Sequence, residues 1–357
     1  MKKKELLALV GSACLALMLA ALPLMAACGR KEVTPTPTPA HELVTLELYT
    51  NPAGGIMYTL GFALADLINE HSEWLRCNAV ETSSSAENLR TIAEHPEKKN
   101  IWLGESTTIT ADMLALGRKP FEDIGPWKHT KWIGLMVNIG SAFVTLDPNI
   151  ETWHDLEGKT FGLDVMGSTN QFMEEDLMEY AWKNKDKVKI DYGCTGDIAV
   201  DRLLDGTVDI TWQGAICMGS GEYKEWVPMP SFERLLAARQ VYFMELDESD
   251  IATVREETGL ESLGLIGGEA KTVGKTDATN WKGLINCIGW LVSEDMDDEI
   301  VTEIMRIIYD YSGEFVNYHA VGRGITHETL GQLSVPRESY HPAAIKFLED
   351  RGHKVGR

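Results

Sequence analysis

Asn51-Pro52-Ala53-Gly54-Gly55 and Thr82-Ser83-Ser84-Ser85-Ala86-Glu87-Asn88 are two strand-to-helix turns made of residues that hold small polar molecules. In the first, Gly54 and Gly55 let the backbone approach a ligand closely, and they precede a helix whose first N–H groups have no partner within the helix. Asn51 adds a side-chain amide, and Tyr58 lies within one turn of that helix end. In the second, the hydroxyls of Thr82, Ser84 and Ser85 gather before another helix, with Ser84 or Ser85 as its N-cap and Asn88 one turn further on. Either turn alone also reads as ordinary helix capping. Two of them opening on the same side of one sheet place their donors in a single crevice.

Three later turns have the same character. Glu105-Ser106 follows a strand expected at residues 100–103, Gly167-Ser168-Thr169 follows one at 160–163, and Trp212-Gln213-Gly214 follows one at 208–212. Each would lie at the carboxyl end of its strand, where open αβ sheets bind ligands. Gly167-Ser168-Thr169 at a helix start reads equally as an anion grip or as an N-cap, and Trp212 as a lid or as core.

Chemistry of other kinds leaves no mark. The chain has no Gly-x-Ser-x-Gly elbow, no Walker loop, no His-Glu-x-x-His and no Gly-x-Gly-x-x-Gly after a strand, so neither a catalytic residue nor a cofactor is expected. His319, His327, His341 and His353 lack metal spacing and read as surface residues. The runs Glu174-Glu175-Asp176 and Asp297-Asp298-Glu299 read as helix starts or exposed faces, where acids complement the helix dipole.

These residues need a scaffold of alternating strands and helices. Strands are expected at 44–49, 76–80 and 100–103, with helices at 56–71 and 86–95 between them, a βαβαβ half of a parallel sheet. The first helix sets Leu60, Leu64, Leu67 and Ile68 on one face with small Gly61, Ala63 and Ala65 between them. A helix at 107–116 and strands at 131–137 and 142–146 follow. A second αβ set runs through a strand at 160–163, a helix at 169–184, a strand at 188–192, a helix at 198–204 and a strand at 208–212. The chain then closes with a strand at 284–292 and an amphipathic helix at 299–315.

Lys2, Lys3 and Lys4, an apolar run at 6–24 and Met25-Ala26-Ala27-Cys28 have the form of a lipoprotein signal peptide over 1–27, with Cys28 as the acylated residue. An uncleaved membrane anchor is the other reading of that run. Residues 28–41 include Thr-Pro repeats at 34–39, a polyproline tether rising about 3.1 Å per residue and reaching roughly 40 Å. Loss of three Lys and one Glu with residues 1–27 leaves 30 basic and 53 acidic residues, a formal charge of −23. Such a surface excludes nucleic acid and anionic lipid as expected partners. Cys77, Cys194, Cys217 and Cys287 remain in the body, where export permits disulfides and burial permits free thiols.

The two opening turns resemble those of the TAXI class of TRAP transporter receptors, which are extracytoplasmic solute-binding proteins. Their signature is a paired-glycine turn leading to Tyr, a Gly- and Ala-rich helix, and a Thr-Gly-Gly-Ser-x-x-Asn turn. Gly54, Gly55, Tyr58, Gly61, Ala63, Ala65, Thr82, Ser85 and Asn88 match it, while Ser83 and Ser84 replace the two glycines. The likeness continues through Asp155-Leu156-Glu157-Gly158-Lys159-Thr160-Phe161, Gly167-Ser168-Thr169 and the stretch 204–210, and covers most of the chain after residue 42.

The resemblance implies an α/β, periplasmic-binding-protein-like fold: two αβ lobes joined by crossing strands with a ligand cleft between them. Lobe I would take residues 42–142 and 290–357, and lobe II 143–289. It also implies dicarboxylate or amino-acid ligands, and delivery to a TRAP-type membrane permease. Since the matched turns contain no Arg or Lys, hydroxyls and backbone N–H groups would hold the carboxylate. Glu105 would receive an amine, which favours a zwitterion such as glutamate over a plain diacid, and Arg202, Arg239 and Lys187 are cations that could reach the cleft from elsewhere. An ABC-type receptor, and an enzyme or cofactor-precursor binder on the same fold, are the alternatives.

Overall fold

The computed structural model describes residues 41–218, 226–269 and 280–357. The signal-peptide and Cys28 assignments, and all of the tether but its last residue, lie outside them. Residues Leu43–Arg357 form one compact unit.

The first half is the expected βαβαβ. Strand β1 (Val44–Tyr49) pairs in parallel with β2 (Leu75–Val80) on one side and β3 (Trp102–Thr107) on the other, in register Val44↔Leu75 and Glu47↔Trp102. Helix α1 (Ile56–His71) joins β1 to β2, and α2 (Ser85–Glu94) lies between β2 and β3. Leu60, Leu64, Leu67 and Ile68 of α1 are fully buried, as their spacing predicts. Gly61 is small for a reason: a Cβ there would stand 2.5 Å from the Thr50 methyl and 2.6 Å from Glu105 Oε1. Helix α3 (Thr108–Leu116) follows β3 directly.

Two long strands run between the halves. Strand β4 (Thr130–Thr145) and β11 (Asn280–Ser293) pair antiparallel, with Leu284↔Ser141 and Trp290↔Gly134 in register. β11 also pairs with β3, placing Trp290 opposite Glu105. On the far side, β4 pairs antiparallel with β7 (Ile210–Cys217), which pairs in parallel with β5 (Thr160–Gly162), itself parallel to β6 (Lys189–Asp191). The resulting order is β2-β1-β3-β11-β4-β7-β5-β6, with β8 (Trp226–Pro228), β9 (Tyr242–Phe243) and β10 (Leu265–Glu269) attached to β7, β4 and β11. The fold is therefore α/β with a mixed sheet.

Helices α4 (Thr169–Asp176), α5 (Gly196–Leu204), α6 (Pro230–Ala238) and α7 (Glu248–Thr258) serve the second half. Helix α8 (Asp298–Asp310) buries Ile300, Val301, Ile304, Met305, Ile307 and Ile308, each worth about 1.5–3 kcal/mol relative to exposure. It returns to the first half: Ser72 Oγ donates to Glu303 Oε1 at 2.8 Å, and Arg306 donates to the carbonyl of His71 at 2.9 Å. Helix α9 (Pro342–Glu349) packs against α8.

Several expectations change. Residues 131–137 and 142–146 are one strand, because Asn138-Ile139-Gly140-Ser141 continues its pairing with both β11 and β7. β7 runs on to Cys217, which puts Trp212, Gln213 and Gly214 inside a strand instead of in a turn. β3 likewise runs on to Thr107, so Glu105 and Ser106 are strand residues, both fully buried. The helix begun at Thr169 gives way after Asp176 to a wider turn, Leu177–Ala181. Glu174 and His341 are buried, not exposed. Cys77, Cys194, Cys217 and Cys287 are all buried and none forms a disulfide.

Candidate functional site

Strands β1, β2 and β3 run one way and β5, across the antiparallel β11, β4 and β7, runs the other, so the carboxyl ends of the two halves face each other, and the segments that follow β1, β2, β3 and β5 all reach one cavity of about 260 Å³. Asn51 and Pro52 come from the turn after β1, with Met57 from α1. Ser83, Ser84, Ser85 and Ala86 come from the start of α2, and Thr107 and Thr110 from the start of α3. The second half gives Asp164, from just beyond β5, and Gly167, Ser168, Thr169, Asn170 and Phe172 from the start of α4. β11 adds Asn286 and Ile288, and Pro120 completes the wall.

Three helix starts thus meet at one place. Ser84 Oγ accepts from Glu87 N at 3.2 Å, Thr107 Oγ1 from Thr110 N at 3.1 Å and Ser168 Oγ from Gln171 N at 3.1 Å, so the N-cap residue of each helix faces the cavity. The remaining first-turn N–H groups and the positive dipole ends favour a negative group there. The two halves also touch across the cavity: the Thr110 and Thr169 hydroxyls are 2.7 Å apart, Thr107 and Thr110 2.8 Å, and Thr107 and Thr169 3.3 Å.

Acceptors face the same space. Among the described residues, Asp164 is the one ionisable residue on the cavity wall. Its Oδ1 accepts from Val165 N at 2.7 Å and its Oδ2 from Asn170 Nδ2 at 3.2 Å, while burial pushes its pKa up against these hydrogen bonds. Behind it, Glu174 Oε2 accepts from Asp164 N at 3.0 Å; burial, and then the charge of Asp164, push Glu174 well above the usual carboxylate range. The amide oxygens of Asn51 and Asn286 are buried without a hydrogen-bond partner, and Asn286 is only 7 % exposed. Among the described residues no Lys or Arg lines the cavity: Arg202 pairs with Asp191 at 3.0 Å and Lys187 with Glu157 at 3.6 Å, and Arg239 stands elsewhere.

Of the residues singled out in the sequence, Asn51, Ser84, Ser85, Gly167, Ser168 and Thr169 reach the cavity. Gly54 and Gly55 form the exposed side of the first turn, where Gly54 takes φ +89° and Gly55 is the N-cap of α1. Tyr58 turns away and packs its ring 4.4 Å from Phe62. Thr82 and Asn88 are buried behind the wall. Asn88 Nδ2 donates to the carbonyls of Thr50 at 2.7 Å and Glu105 at 2.8 Å, and the Thr82 hydroxyl stands 2.6 Å from Asn88 Oδ1, so together they brace three strand ends.

Glu105 lies further back, with Oε1 accepting from Trp290 Nε1 at 3.3 Å and Oε2 without a partner. Ser106 turns its hydroxyl to the carbonyl of Thr107 at 3.2 Å. Trp212 is in the core, and Gln213 accepts from Ser231 Oγ at 3.0 Å. The carboxylate that faces the cavity is therefore Asp164, not Glu105. Its signal was its place, the first residue beyond the expected strand 160–163. Asn286 and Ile288 gave no such signal, because β11 meets the cavity only through sheet pairing.

Among the described residues, no group of three His, Cys, Asp or Glu side chains could hold a metal ion, and no helix is long and apolar enough to cross a membrane.

A family model described as NMT1-like matches residues 48–352. No curated protein matches the chain. Similar solved structures include the periplasmic aliphatic sulphonate binding protein SsuA from Escherichia coli, 13% identical over 80% of each chain with a TM-score of 0.42. A TctC solute binding protein from Polaromonas is 13% identical over 81% of this chain and 88% of its own, at 0.45. MatC from Rhodopseudomonas palustris with bound malate is 10% identical over 86% of this chain and 95% of its own, also at 0.45.

Proposed function

We propose that this chain, which belongs to the NMT1-like family, is an extracytoplasmic solute-binding receptor that captures a small organic acid or amino acid and passes it to a membrane permease. The observation that carries this reading is the cavity with three capped helix starts, contributed by both halves of the sheet. At about 260 Å³ it falls just below the roughly 300–1,000 Å³ of drug-sized ligand pockets, a size for a small metabolite. The two halves act as lobes, 42–142 with 290–357 against 143–289, which close when the solute makes contacts with both. Ser84, Ser85, Ser168 and Thr169 hold its carboxylate by hydroxyl and backbone N–H donors. Asp164, with the amide oxygens of Asn51 and Asn286, receives its amine.

The Gly54-Gly55-Tyr58 and Thr82-to-Asn88 turns support a TAXI-type receptor serving a TRAP permease, and Met25-Ala26-Ala27-Cys28 supports a lipid anchor at Cys28. A thermal-shift screen of organic acids and amino acids tests the receptor reading, since a ligand at 100 times its Kd stabilises the fold by about 2.7 kcal/mol. No shift with any acid or amino acid at millimolar concentration counts against it. A TRAP permease gene beside this one supports the TAXI subtype, and an ABC permease gene there removes it.

A further inference from the structure

Helix α3 belongs to the first half, and along one side it is stitched to the second. At its start the Thr110 and Thr169 hydroxyls meet at 2.7 Å. Further along, Asp112 Oδ2 accepts from Ser262 N at 2.7 Å, and Leu116 lies over Gly259, where a Cβ would stand 3.3 Å from its Cδ2. Just past its end, Arg118 Nη2 donates to Asp176 Oδ1 at 3.0 Å, and Nη1 reaches the carbonyl of Thr258 at 3.5 Å, at the C-terminal end of α7 where the helix dipole favours a cation. The chain fixes Arg118 there: Gly117 ends α3 in the left-handed region at φ +63°, and Arg118 N donates to the carbonyl of Met113 at 2.9 Å. Helices α3 and α4 thus lie together from the cavity, where their starts meet, to the Arg118–Asp176 pair at their far ends.

Contacts of this kind can be made and broken. Two hydroxyls, a carboxylate on a backbone N–H and an ion pair all regain water when they part, and polar seams between units of one chain permit relative motion. The Arg118 and Asp176 side chains keep 27% and 13% of their exposure, so hydration offsets most of what their attraction gains. The backbone pairing of β4 with both β11 and β7 has no such exchange to offer, which makes those strands the pivot. Removing one ion is a different matter. Asp176 Oδ2 has no hydrogen-bond partner, so without Arg118 the seated state would hold a half-buried, uncompensated carboxylate, and the parted state, where water reaches it, gains. Resting on the two-lobe reading above, we infer that Arg118 is a positioning residue for the binding site: paired with Asp176, it seats α4 against α3 and holds the two walls of the cavity together before any solute arrives. The affinity for a solute held by both walls is then set in part by a residue that lies off the cavity wall.

The test is a distance measurement on the full chain with no solute present: double electron–electron resonance between nitroxides on cysteines introduced at Ala53 and Met166, exposed residues beside Pro52 and Gly167 of the cavity wall. Arg118→Asp sets a second carboxylate against Asp176, and the ratio of parted to seated halves is expected to rise roughly tenfold or more, read as a longer-distance population. Exchanging the pair, Arg118→Asp with Asp176→Arg, restores the attraction and should return the distribution to the parent's, which a loss of packing alone would not do. Circular dichroism checks that each variant is folded at the temperature of the measurement. If Arg118→Asp does not fold, Asp176→Asn, which removes only the charge, takes its place with the same expectation. A single variant whose distances match the parent's, or an exchanged pair that does not return to them, overturns the inference. Either result leaves the receptor reading to its own thermal-shift screen.

Discussion

Replacing Asp164 by Asn separates the charge of this residue from its shape. In the parent, Asp164 Oδ1 accepts from Val165 N at 2.7 Å and Oδ2 from Asn170 Nδ2 at 3.2 Å. Asn keeps the first bond and sets an amide NH₂ against a donor in the second. Asn170 can turn its carbonyl to meet it, at the cost of a 3.5 Å contact from Ser141 Oγ. Stability should therefore change by no more than about 1 kcal/mol, the worth of one ordinary hydrogen bond.

Binding should change far more. A hydrogen bond to a charged group is worth about 1.5–3 kcal/mol, so an amino acid should lose roughly 10- to 150-fold in affinity. An acid without an amine should lose nothing. Burial raises the pKa of Asp164, so its charged form, the one that pairs with an ammonium, disappears as pH falls through that raised value. Parent affinity for an amino acid should fall with it, while that of Asp164→Asn should stay flat. Calorimetric titrations of both proteins from pH 4 to 8 measure this. An Asn variant that binds amino acids as tightly as the parent at pH 7, or a parent profile as flat as the variant's, would refute the assignment.

Three further outcomes are expected. Glu105→Gln should leave the ligand ranking unchanged, because Glu105 does not line the cavity. Burial raises its folded pKa, so the parent's stability is greatest below the ordinary value of 4.5 and is lost as pH rises through the folded value; the variant's Tm should gain on the parent's from pH 5 to 9, and a constant difference would refute this. Thr169→Val removes the hydroxyl 2.7 Å from Thr110, costing about 0.5–1.5 kcal/mol of stability and 1–3 kcal/mol of affinity; calorimetry showing unchanged affinity would return Thr169 to a structural role. Cys28→Ala should move the protein from the membrane to the soluble fraction and remove the lipid mass; a variant that stays in the membrane would count against acylation there.

The alternation of strands and helices was legible because each element has its own period: Leu60, Leu64, Leu67 and Ile68 at helical spacing, Leu46 and Leu48 at strand spacing, both sets fully buried. The hydroxyl caps at Ser84 and Ser168 were legible for the same local reason. What failed was whatever depends on neighbours. Asn138-Ile139-Gly140-Ser141 has the composition of a turn, yet β11 and β7 hold it extended from both sides. Glu105 looked like a cleft acid because its strand was ended too soon; four more strand residues carry the strand's end to Thr107 and leave the carboxyl facing Trp290. Asn286 and Ile288 enter the site by register alone, which no local pattern encodes.

The most direct test of the account is a crystal structure of the protein with the tightest-binding acid or amino acid from the screen. The account predicts the solute in the cavity between the starts of α2, α3 and α4, its carboxylate within 3.2 Å of a Ser or Thr hydroxyl or a first-turn N–H, a usual hydrogen-bond distance. Asp164 should lie against any amine it carries. A solute bound elsewhere, or held by residues of one half of the sheet alone, would contradict it.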